Sequence, residues 1–171
     1  MKKILIAYYS RRGENYVGGT IVDIPVGNTE VMAQKIAELT GGDLFRIDTV
    51  EAYPADYTEC THVARKELKM NARPELTGKV DDMARYDTVF LGYPNWWGTM
   101  PMGVHTFLES YDFTGKTIVP FCTHEGSGMG HSVADIRKLC PGATVLDGRA
   151  IRGSSVQYAD ADAEQLAGCL K

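Results

Sequence analysis

The sequence predicts a doubly wound, three-layer α/β domain with a five-stranded parallel sheet, and three observations carry that prediction. Short apolar runs alternate five times with amphipathic helical segments. The first run, Ile4 to Tyr9, is almost wholly apolar and partly β-branched, which is typical of a strand covered on both faces. The 171 residues include no linker and no internal repeat. We therefore expect one domain over residues 1–171.

Each β/α unit is predicted from its own pattern. In the first helix, Met32, Ile36 and Leu39 fall at helical spacing, and Gly41-Gly42 follows as a stop signal. The other predicted segments are a strand over 43–50 with a helix from Asp56 to before Pro74, a strand over 87–92 with a helix from Pro101, a strand over 116–122 with a helix over 129–140, and a strand within 144–151 with a final helix capped by Asp160.

The segment from Arg11 to Gly27 interrupts this alternation. It is longer than the roughly two to six residues that usually join a strand to the next helix, and three of its inner residues are glycines. We interpret it as an inserted loop, with a small added hairpin as one form that it can take. Loops of this length in a compact α/β domain more often serve a function than not.

Composition and charge exclude several classes of protein. Lys and Arg number 18 against 22 Asp and Glu, so the net charge is −4 and no basic patch for a nucleic acid is expected. The apolar runs are too short for a membrane span, and from the pattern of its first residues we expect no signal peptide. Four cysteines without a Cys-x-x-Cys pair predict free thiols in a reducing cytoplasm.

Polar and glycine-rich segments follow the first, third and fourth predicted strands. The first segment is Ser10-Arg11, which resumes at Gly27-Asn28-Thr29 after the insertion. The second runs over residues 92–99 and the third over residues 123–130. In open α/β sheets, ligands bind beyond the carboxyl ends of the strands, where the strand order reverses. We therefore expect the three segments to line one site.

The three segments offer different contacts to a ligand. The first supplies hydroxyls, an amide and backbone N–H groups at a helix N-terminus, which suit a phosphate. The second contains both tryptophans, Trp96 and Trp97, on which a flat aromatic ligand can stack. The third is rich in small residues, so its backbone can approach the edge of a planar ring. Phosphate, plane and polar edge together point to flavin mononucleotide (FMN).

Each segment also has an ordinary structural interpretation. Asn28 and Thr29 are common helix-capping residues, the tryptophans suit a core or an interface equally well, and the glycines after Thr123 suit a flexible loop. The first segment is neither a Walker loop nor a dinucleotide fingerprint. We favour the ligand site because all three segments follow the strands at which this architecture binds ligands.

These motifs resemble the flavodoxin-like family of FMN proteins over nearly the whole chain. The resemblance is carried by the strand Ile4 to Tyr9 with the first segment, by Gly92-Tyr93-Pro94 with Trp96-Trp97-Gly98, and by the run from Phe121 to Gly128. It implies the strand order 2-1-3-4-5 of flavodoxin, with FMN at the switch point.

The resemblance also implies a role for each segment. Ser10, Asn28 and Thr29 would bind the FMN phosphate, with Arg11 as an addition to them. Of the two tryptophans, Trp97 is favoured to stack on the ring. The residues expected to hold the isoalloxazine and to contact its polar edge are Pro94, Asn95, Trp96, Trp97 and Gly98, followed by Thr123, His124, Gly126, Ser127 and Gly128.

The sequence departs from common flavodoxins in its phosphate loop. That loop is usually compact, whereas here residues 12–26 interrupt it. The subgroup that this sequence most resembles has a Tyr-Pro-x-Trp-Trp-Gly turn and an insertion of the form Ser-Arg-x-Gly-Glu-Asn-Tyr, so the interruption is compatible with the site. The roles of Asn15 and Tyr16 stay open.

His124 is the candidate catalytic residue, because it is the histidine within a ligand segment. It could hydrogen-bond the flavin or protonate a substrate, and a loop histidine without a role is an equal alternative. The histidines lack the spacing of metal ligands, so no metal site is expected.

Three functions fit the resemblance. An FMN-dependent oxidoreductase would take a hydride from NAD(P)H and pass electrons to a quinone or similar small acceptor. A flavodoxin-type carrier would instead relay electrons between redox proteins, and in the third case FMN would be only a structural or sensing ligand. Carriers usually ring the flavin with carboxylates, whereas the ligand segments here contain only Glu125, with Glu14 and Asp23 in the insertion. We therefore favour the enzyme, with no assignment of oligomeric state.

Overall fold

A central sheet of parallel strands organises residues 3–170, the part of the chain that this computed structural model describes. The strands are β1 (Ile4–Tyr8), β2 (Gly13–Val17), β3 (Thr20–Ile24), β4 (Asp43–Arg46), β5 (Thr88–Pro94), β6 (Thr117–His124), β7 (Thr144–Val145) and β8 (Arg149–Arg152). The α-helices are α1 (Asn28–Thr40), α2 (Tyr57–Lys69), α3 (Met102–Glu109), α4 (Ser132–Leu139) and α5 (Asp160–Gly168), and short 3-10 helices occupy Met83–Arg85 and Gly153–Tyr158.

The strand order across the sheet is β4-β1-β5-β6-β7, and β8 continues the edge beside β6. All pairs in this sheet are parallel. With the strands of the insertion set apart, this is the expected order 2-1-3-4-5, so the predicted fold class is confirmed. From β1 the chain moves outward to β4 and then crosses to β5 on the other side. The loops after β1 and β5 therefore separate at the carboxyl edge and leave a crevice.

The strand predicted within residues 144–151 is divided in two. β7 pairs with Thr117 and Ile118 of β6, and β8 pairs with residues 121–124. The break faces Pro120, which has no N–H to donate. Gly148 lies in this break with a φ of 70°, and a Cβ there would lie 2.2 Å from the Pro120 carbonyl oxygen. The edge strand is interrupted because the two backbones touch at this point.

The insertion forms an antiparallel hairpin made of β2 and β3. Its cross-strand pairs run from Gly13 with Ile24 to Val17 with Thr20. The turn between the strands is Gly18-Gly19, with φ values of 64° and 95°, a backbone that glycine adopts at little cost. Within residues 3–170, the hairpin is a separate sheet without strand pairing to the central one.

Alternate residues of the central strands face opposite layers of helices. On β1, Leu5 and Ala7 belong to the core covered by α3 and α4, while Ile6 and Tyr8 belong to the core covered by α1 and α5. Burying a large apolar side chain fully stabilises a fold by roughly 1.5–3 kcal/mol. Because both faces of the sheet are covered, its strands have near-continuous apolar sequences.

Two helix ends form as their sequences predict. Gly41 follows α1 with a φ of 70°, and its N–H donates to the Ala37 carbonyl at 2.8 Å. Asp56 caps α2, because its carboxylate accepts the Glu59 N–H at 2.9 Å.

Two helix starts were predicted wrongly. Helix α4 begins at Ser132 rather than near Met129, because the glycines beside Met129 have left-handed backbones that end a helical path. Helix α5 is preceded by Ala159 without a side-chain cap. The carboxylate of Asp160 instead accepts from Lys35 Nζ at 2.5 Å. The carboxylate that the sequence predicted to cap α5 thus forms an ion pair with a residue of α1.

No helix within residues 3–170 has the length and apolar character needed to cross a membrane. The four cysteines are free thiols, and their burial differs. Cys60, Cys122 and Cys140 are buried, whereas Cys169 is exposed.

The buried histidine of α3 should make stability depend on pH. Burial lowers the pKa of His105 from its ordinary value of 6.5, with the Pro101 carbonyl opposing this effect. The unfolded chain therefore binds this proton more readily than the folded one below about pH 6.5. We expect the free energy of unfolding to fall as the pH falls below that value, and His105→Gln to reduce the slope.

Urea unfolding of the wild type and of His105→Gln between pH 7.5 and 5 measures this difference. His62→Gln, on the exposed face of α2, is the matched control. Equal slopes for the wild type and His105→Gln would contradict the expectation.

Candidate functional site

A cleft of ≈ 440 Å³ lies at the carboxyl edge of the sheet. Its size is within the roughly 300–1,000 Å³ of small-molecule sites. All three predicted segments contribute to its lining, together with β2 of the hairpin and one face of α2. The predicted residues that line it are Arg11, Asn28, Thr29, Pro94, Asn95, Trp96, Trp97, Thr123, His124 and Ser127.

Four further predicted residues, Ser10, Gly98, Gly126 and Gly128, lie next to the cleft and do not line it. Each makes a contact that holds a lining segment in place. Gly98 donates its N–H to Asn95 Oδ1, and the carbonyl of Gly128 accepts from Asn95 Nδ2. The three glycines therefore contribute to the site through the backbone, whereas Ser10 contributes through its hydroxyl.

The junction between β1 and α1 is closed by Ser10. Its hydroxyl accepts the Glu30 N–H at 3.1 Å, which satisfies one donor in the first turn of α1. Gly27 packs against this hydroxyl so closely that a Cβ would lie 2.1 Å from it. The two ends of the insertion therefore meet, and the helix N-terminus stands directly after the end of β1.

A buried hydrogen bond joins the first and third segments. The hydroxyls of Thr29 and Thr123 are 2.8 Å apart, and both residues are almost fully buried. Thr29 is the second residue of α1, and Thr123 is the residue before the last of β6. In the sheet, β5 lies between β6 and β1, the strand that precedes α1. The bond fixes the helix N-terminus relative to the far loop of the cleft.

The Arg11 guanidinium donates hydrogen bonds to three backbone carbonyl groups. Its Nε donates to Glu14 at 2.9 Å, and its Nη2 donates to Pro54 at 2.9 Å and to Ala55 at 3.0 Å. Arg11 thereby ties the base of the hairpin to the loop that precedes α2. These hydrogen bonds use Nε and Nη2 and hold the wall together, and the guanidinium itself lines the cleft.

Asn95 joins the second segment to the third through both its backbone and its side chain. Its N–H donates to the Thr123 carbonyl at 2.9 Å. Its Nδ2 donates to the Gly128 carbonyl at 2.8 Å, and its Oδ1 accepts the Gly98 N–H at 2.9 Å. The aromatic turn and the small-residue loop are therefore one connected unit.

The two tryptophans occupy different environments. Trp96 is half-buried and makes edge-to-face contacts with Tyr9 and Tyr53, at centroid distances of 5.3 and 5.1 Å. Trp97 is 46% exposed, and its Nε1 donates to the Thr61 carbonyl at 2.9 Å. Trp96 is thus held by the core, whereas Trp97 presents surface at the cleft.

Trp97 has a strained backbone. Its φ is 58°, a left-handed conformation that is uncommon for a bulky residue and costs on the order of 1–3 kcal/mol. The bond to Thr61 and the Arg65 guanidinium 5.0 Å from the ring centroid hold the side chain against α2. Strain of this kind is found where a site fixes a side chain in one direction.

His124 has a defined proton position. Its Nδ1 accepts the Gly126 N–H at 2.8 Å, so the neutral ring carries its proton on Nε2. Burial and the nearby Arg152 guanidinium lower the pKa of His124, while Glu125 opposes them. The neutral form is favoured, and Nε2–H is the donor that it offers.

Glu125 connects the third segment to the hairpin turn. Its Oε1 accepts the Gly18 N–H at 3.4 Å, and its Oε2 lies 3.8 Å from Arg152 Nη1. Within residues 3–170, Glu125 is the one carboxylate residue that lines the cleft. Its charge is opposed by that of Arg152.

The sequence prediction missed the wall formed by the hairpin and α2. The length of the insertion was a signal for part of this wall, although it did not assign a role to any residue. Nothing in the sequence of α2 distinguishes residues that face a ligand from residues that face the core. The lining residues outside the predicted set are Asn15, Tyr16, Tyr57, Cys60, Thr61, Ala64, Glu125 and Gly153.

The ionisable groups of α2 in this wall are neutral near pH 7. Burial raises the pKa of the Tyr57 phenol. Burial also raises the pKa of the Cys60 thiol, although Arg11 opposes the shift. A thiol that stays protonated is a weak nucleophile, so Cys60 contributes packing surface rather than reactivity.

Among residues 3–170, no three His, Cys, Asp or Glu side chains are grouped so that they could hold a metal ion.

Comparisons with known proteins agree with this fold. The sequence profile of the family described as Flavodoxin matches residues 3–163. No curated protein sequence matches the chain. A candidate flavoprotein from Bacteroides eggerthii is 31% identical, with 95% of this chain and 99% of that one covered and a TM-score of 0.71. A second candidate flavoprotein, from Bacteroides uniformis, is 30% identical over 94% of this chain and 96% of that one, with a TM-score of 0.72.

A third solved structure is a flavoprotein from Lactobacillus acidophilus in complex with FMN. It is 26% identical, with 92% of this chain and 98% of that one covered and a TM-score of 0.65. The profile match extends over most of the chain, and each structural match covers nearly all of this chain and of the matched chain. By sequence and by fold, the chain belongs to the flavodoxin family.

Proposed function

We propose that the protein binds FMN in the cleft and transfers electrons through it. One observation carries the proposal: a helix N-terminus, an aromatic turn and a small-residue loop meet at a single cleft on the switch-point edge of the sheet. The flavoprotein relative from Lactobacillus acidophilus, which holds FMN, supports it.

The phosphate of FMN is assigned to the first turn of α1. The N–H groups of Asn28 and Thr29 lie where a helix has no intrahelical acceptor for them, and no hydrogen bond joins either group to another described residue. Gly27 leaves no space for a side chain between Ser10 and the helix. Free donors, a positive helix end and a tight backbone are what a phosphate requires, so these residues fit the group.

The ring system is assigned to the unit that Asn95 holds together. Pro94 to Gly98 would cover the isoalloxazine, and Thr123 to Gly128 would contact its polar edge. Trp97 is the favoured stacking residue, because Trp96 is already packed between Tyr9 and Tyr53. His124 is assigned a hydrogen bond from Nε2–H to the flavin or to a substrate, since its Nδ1 is occupied by the Gly126 N–H.

The electron donor and acceptor are proposed from the charge of the cleft. When bound, FMN accepts a hydride and passes electrons on, and we propose NAD(P)H as the donor and a quinone or similar small molecule as the acceptor. Carboxylates near a flavin disfavour its fully reduced anion, and here Glu125 is the one lining carboxylate and lies beside Arg152. Such a site favours two-electron enzyme chemistry over one-electron relay between proteins.

Discrimination between FMN and riboflavin tests the phosphate assignment. We expect the apoprotein to bind FMN much more tightly than riboflavin. The double variant Asn28→Ala/Thr29→Ala keeps the backbone N–H groups and removes the Asn28 amide and the Thr29 hydroxyl, which the family resemblance also assigns to the phosphate. It should weaken FMN binding by roughly tenfold or more, because a side-chain hydrogen bond to a charged group contributes about 1.5–3 kcal/mol. Flavin titration of the apoprotein by fluorescence measures both affinities.

Stability of the apoprotein provides the control for that variant. Removing the Thr29 hydroxyl leaves the buried Thr123 hydroxyl without its partner, which should lower the free energy of unfolding by about 1–3 kcal/mol. This loss is smaller than the roughly 5–15 kcal/mol that stabilises a typical domain, so we expect the apoprotein to stay folded. Thr40→Val, at the other end of α1, should leave the affinity for FMN unchanged. Equal affinity of the wild type for the two flavins would contradict the phosphate assignment.

Replacing Trp97 by Ala tests the stacking assignment. We expect lower affinity for FMN and brighter flavin fluorescence, because a stacked indole quenches the ring. Tyr158→Ala, which removes an aromatic side chain that is 88% exposed, is the control. Fluorescence and affinity that match the wild type would show that the indole does not touch the flavin.

Anaerobic reduction tests the number of electrons. We expect dithionite to reduce the holoprotein mainly in one two-electron step, and NADH or NADPH to drive quinone reduction with ping-pong kinetics. Two well-separated one-electron steps, together with no turnover from either nicotinamide, would make the electron carrier the better assignment.

A further inference from the structure

The hairpin and α2 form a part of the cleft that the flavin assignments do not use. We propose that Tyr16 of β2 and Tyr57 of α2 form the wall of a second subsite, which takes a flat, uncharged aromatic molecule of the quinone class as the electron acceptor. This inference rests on the proposed flavin-dependent function and goes beyond it, because it assigns residues to the acceptor.

The two rings are neighbouring aromatic surfaces that a flat molecule in the cleft can contact. Their centroids are 6.4 Å apart, their planes are tilted by 34°, and both residues line the cleft. Tyr16 is 45% exposed and Tyr57 is half-buried, so the pair extends from the opening of the cleft inward. On the same face of α2, Cys60 and Ala64 continue the wall with small, apolar surface.

This wall is held in place by hydrogen bonds that use its charged groups. Glu14 Oε1 accepts the Tyr57 N–H at 2.8 Å, which anchors β2 to the first residue of α2. The Arg11 guanidinium is engaged with the carbonyls of Glu14, Pro54 and Ala55. These hydrogen bonds fix the positions of both side chains, and the Arg11 guanidinium keeps its positive charge in the lining of the cleft.

The remaining groups of the wall are uncharged near pH 7. Burial raises the pKa of the Tyr57 phenol and of the Cys60 thiol, so both stay protonated. A cationic acceptor would lose its hydration here and would face the Arg11 guanidinium instead of an opposite charge. A neutral planar ring gains stacking contacts worth about 0.5–1.5 kcal/mol beyond its buried area.

The reaction served by the subsite is balanced by the proposed donor. NAD(P)H supplies a hydride, which is two electrons and one proton, and solvent supplies the second proton. The quinone takes up two electrons and two protons and leaves as a hydroquinone. The role of Tyr16 and Tyr57 in this sequence is to bind and orient the acceptor.

Substitution of Tyr16 tests the subsite. The variants are Tyr16→Ala and Tyr16→Phe, and the matched control is Ile21→Ala, because Ile21 is the cross-strand partner of Tyr16, is 49% exposed and does not line the cleft. The probe is 2-methyl-1,4-naphthoquinone. Its binding to the oxidised holoprotein is measured by the change in flavin absorbance, and FMN affinity is measured separately by titration of each apoprotein.

We expect Tyr16→Ala to weaken naphthoquinone binding by about two- to twelvefold, the factor that corresponds to the loss of one aromatic contact. Tyr16→Phe and Ile21→Ala should bind the probe like the wild type. FMN affinity should be unchanged in all three variants. Reoxidation of the dithionite-reduced holoprotein should slow for naphthoquinone in Tyr16→Ala and stay unchanged for ferricyanide, an anion that does not need the aromatic wall.

Each other outcome would overturn the inference in a recognisable way. Unchanged naphthoquinone binding in Tyr16→Ala would remove the subsite, and an equal loss of FMN affinity would place Tyr16 in the flavin site instead. A wild type that binds FMN and shows no saturable binding of the probe would reject the acceptor and leave the flavin proposal standing. A wild type that binds no FMN would reject the proposed function itself, and the acceptor subsite with it.

Discussion

The cleft depends on the hydrogen bond between the buried hydroxyls of Thr29 and Thr123. Each hydroxyl would be left without a partner if either loop moved, and an unsatisfied buried group costs about 1–3 kcal/mol. The N-terminus of α1 and the end of β6 are therefore held at a fixed separation. Asn95 extends this connection to the aromatic turn, since its backbone donates to the Thr123 carbonyl. All three ligand segments thus share one small polar framework.

Much of the fold and part of the site could be predicted from the sequence, because local signals and packing agreed there. The strands covered on both faces required apolar runs, and the glycine after α1 adopted the left-handed backbone that its position implied. The structure differed from the prediction where a residue distant in sequence determined the local conformation or bound the predicted capping group. Lys35 donates to the carboxylate of Asp160, which was predicted to cap α5. Pro120, on β6, lies opposite the break between β7 and β8.

The wall formed by the hairpin and α2 could not be predicted, for a related reason. Its members come together through contacts between parts of the chain about forty residues apart, such as Arg11 with Pro54 and Glu14 with Tyr57. Neither the carbonyl of Pro54 nor the N–H of Tyr57 leaves a signature in sequence, because every ordinary residue has a carbonyl and nearly every residue an N–H. Residues that contribute only backbone hydrogen-bonding groups therefore cannot be identified from their side-chain types.

The meeting of Ser10 and Gly27 has a consequence for how this site can diversify. The entropy of closing a loop grows only with the logarithm of its length, at about 0.6 kcal/mol for each doubling. Expanding a four-residue connection to the sixteen residues 11–26 therefore costs only about 1.2 kcal/mol, since it is two doublings. Because the two ends of the insertion meet at Ser10 and Gly27, its length and sequence can change without moving the N-terminus of α1. Substitutions in the hairpin, whether natural or engineered, can thus alter its side of the proposed acceptor wall while the first turn of α1, the proposed phosphate site, keeps its geometry.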